Sequence, residues 1–121
     1  MHSHTLPEAA VTFLQGLGIK ADAHTLNAQI ETDQSMRFHF EYNACGFCLS
    51  LLRNCPYERE AEAERLLRLL DLRAGMAYPV AIGSFRDELL LSIAIPEKRC
   101  TLNEIEGALS VLVSLGQAHR S

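Results

Sequence analysis

One predicted helix in the middle of the chain carries more apolar surface than a single packing neighbour can cover. It spans 57–74, with glutamates in its N-terminal half and leucines in its C-terminal half. On a helical wheel of about 100° per residue, its leucines and alanines cover an arc of roughly 240°, whereas packing on one core needs little more than about 100°. A helix with apolar surface on two sides predicts a protein that assembles with a second subunit.

The length and charge of the chain exclude several classes of protein. A sequence of 121 residues suffices for one core, so we expect a single domain over 1–121, with disordered ends at 1–4 and 118–121. The net charge is −4 and the lysines and arginines are scattered, which does not favour binding to nucleic acid. The sequence contains no apolar run of about 18 residues, and its first residues lack the pattern of a secretory signal. We therefore expect a cytoplasmic protein that binds neither membrane nor nucleic acid.

Alternating and helical patterns predict the order helix, three strands, helix, two strands, helix. The predicted helices are 6–17, 57–74 and 102–117, and the predicted strands are 26–33, 36–42, 47–52, 80–85 and 89–95. Capping patterns at Thr5–Glu8 and Thr101–Glu104 mark the starts of the first and last helices. The first three strands are separated by short gaps and form an antiparallel meander, while the last is apolar on both faces, as an interior strand would be. The strands cluster instead of alternating with helices, so the fold class is α+β.

No established catalytic motif occurs in the sequence, so we expect a protein that is not an enzyme and needs no cofactor. Cys45 and Cys48 form a C-x-x-C pair, but Cys55 and Cys100 do not supply the matched second pair of ligands that a zinc site needs. We interpret the four cysteines as buried or half-buried structural thiols and predict no metal site. The alternative is a Cys-based metal-binding protein, which stoichiometric zinc in the purified protein would favour.

The element order, the length, the acidity and the central helix with two apolar sides resemble class I chaperones of bacterial type III secretion, the Tir-chaperone-like family. The resemblance covers Thr5 to about Gln117 and rests on architecture rather than on a residue motif. It implies a homodimer in the bacterial cytoplasm that binds the N-terminal segment of a secreted effector protein and keeps it competent for secretion. The sequence leaves open an alternative, a small dimeric α+β adaptor or anti-activator that regulates another protein.

The resemblance implies two surfaces on this chain. The leucines of 57–74 would divide between the subunit core and the partner, and the following strand would join the dimer interface. The expected dimer residues are Leu66, Leu69, Leu70, Leu72, Val80 and Ile82. The first helix and the first strands would bind the effector segment in apolar grooves and at a sheet edge. The expected effector-binding residues are Phe13, Leu14, Leu17, Ile30, Phe38 and Phe40, together with Leu52, which interrupts the polar face of the third strand. For each of them, ordinary burial in the core is the alternative.

Overall fold

The chain folds into three α-helices and one five-stranded antiparallel sheet in the computed structural model, which describes residues 5–32, 36–55, 59–72 and 79–117. The helices are α1 Glu8–Gly16, α2 Arg59–Leu72 and α3 Leu102–Gln117, and the strands are β1 Asn27–Glu31, β2 Met36–Asn43, β3 Gly46–Asn54, β4 Ala81–Phe85 and β5 Glu88–Ile95. A short 3-10 helix at Glu97–Arg99 precedes α3. The predicted α+β order of elements is confirmed. The predicted disorder at 1–4 and 118–121 lies outside the described residues, as do both ends of the predicted helix 57–74.

The strands lie in the order β1-β2-β3-β5-β4, and each neighbouring pair is antiparallel. The predicted meander of β1, β2 and β3 is confirmed, and β5 has the interior position that its two apolar faces indicated. The turn between β2 and β3 requires glycine at position 46. Gly46 has φ +111°, and a Cβ atom there would lie 2.1 Å from the carbonyl oxygen of Ile95. The strand order leaves β1 and β4 as the two edges of the sheet.

The core lies between one face of the sheet and the helices. Alternate side chains of β2, β3 and β5 are buried and join residues of all three helices in one apolar cluster. Phe13 of α1 packs edge-on against Phe40 of β2 and Phe47 of β3, with ring centroids 5.4 and 6.2 Å apart. Helix α3 contacts β3 and β5, and α2 contacts β4 and β5. The helices therefore leave the opposite face of the sheet uncovered.

The first helix begins later than the capping pattern predicts. Helix α1 starts at Glu8 with Pro7 as its N-cap and has no side-chain capping hydrogen bond, so the predicted capping box at Thr5–Glu8 is wrong. Leu6 precedes a proline, which disfavours helical backbone, and its N–H donates to the carbonyl oxygen of Ala23 at 2.7 Å. The same pattern does cap α3, where the backbone N–H of Glu104 donates to Oγ1 of Thr101 at 3.3 Å.

Candidate functional site

An apolar groove of about 530 Å³ lies between α1 and α3. It is lined by Thr12, Phe13 and Gly16 of α1, by Leu17 directly after that helix, and by Leu102, Glu106, Leu109, Ser110 and Val113 of α3. The small residues in this lining allow another chain to approach both helices closely. The carboxylate of Glu106 gives the groove a negative charge, and its lining contains no basic residue. The groove can therefore accept apolar side chains of a ligand, with a basic residue beside them.

The α3 side of the groove is a second apolar stripe on that helix. Ile105, Leu112 and the other core residues of α3 form the first stripe, which is buried against the sheet. Leu109 and Val113 lie roughly 80° further round the helical wheel, where they are half-buried, and Leu102 on the same stripe is 38% exposed. Helix α3 thus has more apolar surface than the sheet alone covers, a property that was predicted only for the helix at 57–74.

The outer edge of β1 offers main-chain hydrogen-bonding groups. The carbonyl oxygen of Leu26 accepts from Tyr42 at 2.8 Å, and the N–H of Thr32 donates to Met36 at 2.9 Å, so the even-numbered residues of this segment bond to β2. In an antiparallel pair the residues between them point their backbone groups the other way. These residues are Asn27, Gln29 and Glu31, whose side chains are all exposed. An extended peptide can therefore pair with this edge.

The opposite edge, β4, is bordered by α2, and within the described residues its own sequence has little to prevent pairing. Natural edge strands are usually protected by charged residues, proline or a bulge, but Ala81–Phe85 contains no charged residue and no proline. Ala81, Gly83 and Ser84 are small and exposed. On the adjoining helix, Leu67 is 52% exposed although its neighbour Leu66 is completely buried. The exposed leucine and the unprotected edge define the second candidate surface, the α2/β4 surface.

A buried arginine connects three elements behind the α2/β4 surface. Arg53 of β3 is 6% exposed and is the one charged residue among the buried residues of the described chain. Its Nη1 donates to the carbonyl oxygen of Gly116 at 3.0 Å, in the last turn of α3. Its Nη2 lies 3.4 Å from Oε2 of Glu62 on α2. Glu62 also accepts a hydrogen bond from Nε of Arg65 at 2.9 Å, so the carboxylate lies between two guanidinium groups.

The structure separates the predicted effector-binding residues into several locations. Phe13, Leu14, Phe38 and Phe40 are core residues with 7% exposure or less, and Phe13 also reaches the floor of the groove. Leu17, Ile30 and Leu52 are half-buried and lie, respectively, in the groove, on β1 and on the uncovered face of the sheet. Leu52 is the register partner of Leu90 there. These residues do not form one continuous surface.

The predicted dimer residues also differ in their surroundings. Leu66 belongs to the subunit core. Of the leucines that were predicted to divide between the core and the partner, it is therefore one that packs in the core. Val80 and Ile82 are half-buried and pack against the core cluster at the β4 edge. The side chains of Leu69, Leu70 and Leu72 lie outside the described part of the structure. Their assignment to the interface stays a prediction.

The cysteines do not form a metal site among the described residues, where no group of three or more His, Cys, Asp or Glu side chains could hold an ion. Cys48, Cys55 and Cys100 are half-buried as predicted, but Cys45 is exposed because it lies in the tight turn between β2 and β3. Burial raises the pKa of the Cys48 thiol, and the nearby Cys45 raises it further. Burial and the carboxylate of Glu97 likewise raise the pKa of Cys100. Raised pKa values favour inert thiols over reactive ones.

Sequence reasoning missed two groups of residues. The groove side of α3, with Leu102, Leu109 and Val113, had a detectable signal, because the same helical wheel applied to 102–117 shows two stripes. Arg53 had no such signal, since an arginine near the end of a strand usually lies in solvent.

The fold defines a small α+β protein with an apolar groove between two helices and two sheet edges, surfaces of the kind that bind other polypeptides. The family model "Type III secretory system chaperone SycN" matches residues 7–119, and the chain belongs to this family of type III secretion chaperones. The predicted resemblance to class I secretion chaperones is thereby confirmed. No curated protein matches the sequence significantly. Within the described ranges, none of the helices combines the length and the hydropathy needed to cross a bilayer.

Proposed function

We propose that this chain is a cytoplasmic chaperone that, as a homodimer, binds the N-terminal segment of a type III secreted effector and keeps it competent for secretion. Membership of the secretion chaperone family supports the general role. The groove between α1 and α3 is the observation that carries the specific proposal. It offers half-buried and exposed apolar residues on two helices, which a client segment without a fold of its own would cover.

The client would contact the groove and the β1 edge by different means. Along the groove, helix backbones satisfy their own hydrogen bonds, so binding there depends on apolar side chains and on the charge of Glu106. At β1, the outward backbone groups of Asn27, Gln29 and Glu31 would pair with an extended stretch of the client. Once a client segment is bound at one of these sites, its effective concentration at the other site is raised.

The α2/β4 surface would form the dimer. Burial of Leu67 against a second copy would remove the most exposed large apolar side chain among the described residues from water. The neighbouring strand β4 contains no charged residue and no proline, and a two-fold axis would bring the same surface of each copy together. The leucines at 69, 70 and 72 would extend this interface along the helix.

Substitution of Leu102 by Asp tests the client groove without disturbing the helix. Leu102 is exposed and is the first residue of α3, where an added carboxylate is favourable to the helix dipole. Asn103→Asp is the matched control, because it adds the same charge one residue later at an exposed position that does not line the groove.

Both variants and the unchanged chain would be purified from the native bacterium with whatever protein remains bound. We expect Leu102→Asp to lose most of the bound effector and Asn103→Asp to retain it. Equal retention by both variants would contradict a role for the groove, and absence of any bound secreted protein from the unchanged chain would contradict the proposed function.

A further inference from the structure

Few of the described side chains of α2, those of residues 60–68, attach the helix to its own protomer. Among the described side chains of α2, Leu66 is fully buried and Ala63 is partly buried against the core. Glu60, Ala61, Glu64, Leu67 and Arg68 are exposed. Within residues 60–68, the one fully buried leucine holds the helix on the sheet, and such an apolar contact has no preferred direction that would fix the rotation of the helix about its own axis.

The ion pair between Glu62 and Arg53 supplies the missing directional contact. Glu62 lies one turn before Leu66, so the two side chains share one face of α2. The guanidinium that Glu62 meets is itself held in the core, on β3, and its other nitrogen donates to Gly116 of α3. The planar guanidinium therefore relates α2 to two other elements at once. A rotation of α2 that moved Leu67 would also pull Glu62 away from Arg53.

We infer that Arg53 is a positioning residue for dimerisation: it does not touch the partner, but it fixes the orientation in which α2 presents Leu67. This inference rests on the proposed dimer. It assigns a function to a buried charge that the fold alone does not require, because well-packed apolar residues can replace a buried ion pair with little loss of stability.

The double variant Arg53→Met with Glu62→Met separates positioning from stability. Removal of one partner alone would leave a poorly compensated buried charge and lower the thermal stability, whereas the double substitution removes the charges of both partners and preserves side-chain volume. Arg65, the second cation beside Glu62, has a side chain that is 39% exposed, so water can solvate its charge in the double variant. We expect the double variant to unfold at a temperature close to that of the unchanged chain. We also expect its dimer dissociation constant, measured by sedimentation equilibrium, to rise about tenfold or more, a change of about 1.4 kcal/mol.

Two further variants of the full chain complete the test. Arg68→Met is the matched control, because it breaks the Arg68–Glu64 ion pair of the same helix, in which both side chains are largely exposed. It should leave the dissociation constant unchanged. Glu62→Gln keeps the side-chain shape and an acceptor oxygen for Arg53, so it should lose part of the thermal stability but remain folded. The neutral contact holds α2 less firmly than the ion pair, so the dimer should weaken severalfold.

The outcomes distinguish the inference from the proposal beneath it. A monomeric unchanged chain at micromolar concentration would overturn the proposed dimer. An unchanged chain that dimerises, together with a folded double variant or Glu62→Gln variant of equal dissociation constant, would overturn the positioning role alone. Equal weakening by Arg68→Met would also overturn it, because the effect would then follow from the loss of any charge on α2.

Discussion

Substitution of Leu67 by Ala should weaken the dimer without unfolding the protomer. Leu67 is 52% exposed in the single chain, so about half of its surface is available for burial by a partner. Complete burial of a leucine side chain is worth about 1.5–3 kcal/mol, and half of this is about 1 kcal/mol. A two-fold interface contains the residue twice, which gives a loss of about 2 kcal/mol and a dissociation constant about 30-fold higher.

Sedimentation equilibrium over a range of concentrations measures this change directly, and circular dichroism at a fixed concentration follows the fold. Leu66→Ala, at the neighbouring position, should instead destabilise the protomer, since truncation of a fully buried leucine to alanine costs about 2–5 kcal/mol of folding free energy. Leu26→Ala is the control for an exposed leucine, because Leu26 is 37% exposed next to β1, at the other edge of the sheet. Equal dissociation constants for the Leu67→Ala and Leu26→Ala proteins would refute the assignment of the α2/β4 surface to the dimer.

Three further predictions concern the edge strand, a turn and the thiols. Gln29→Pro should abolish strand addition by a client peptide while the fold persists, because the N–H that it removes points away from β2; Gln29→Thr keeps that N–H, and equal client affinity of the two variants would contradict pairing at this edge. Gly46→Ala should lower the free energy of unfolding by about 2 kcal/mol or more, because the backbone φ is positive and the added Cβ would meet the carbonyl oxygen of Ile95; urea denaturation measures this loss, and unchanged stability would refute it. The raised pKa values of Cys48 and Cys100 stabilise the fold below their ordinary value of 9.0, and this contribution is lost as the pH rises through the folded-state values. Stability should therefore fall above about pH 9, and less steeply in the Cys48→Ser, Cys100→Ser double variant; parallel pH profiles would contradict the assignment.

The periodicity of the sequence predicted the elements because each period reflects which side chains face the core. The runs at 36–42 and 89–95 became β2 and β5, and alternate residues in both are buried. The predicted start of α1 was wrong because the capping pattern at Thr5–Glu8 considers only the side chains. It does not include the restriction that Pro7 places on the backbone of Leu6.

The candidate site was less predictable than the fold because it depends on how the helices pack side by side. A single helical wheel shows an apolar surplus but does not show what covers it. Leu66 and Leu67 are adjacent leucines of α2, yet one is fully buried and the other is half exposed. The groove needs Leu17, at the end of α1, and Leu109 of α3 to line the same surface, although 91 intervening residues separate them in the sequence. The ion pair of Arg53 with Glu62 likewise exists only after α2 has packed on the sheet.

Two copies of this chain that bind the unfolded N-terminal segment of one secreted protein would form a complex of fixed stoichiometry. The most direct measurement is native mass spectrometry of the complex purified from the native bacterium, combined with limited proteolysis to identify the protected part of the bound protein. We expect a mass equal to two chaperone chains and one effector, with the protection that the chaperone confers confined to the effector's N-terminal segment. A complex with a single chaperone chain, or protection of a folded domain elsewhere in the partner, would contradict it.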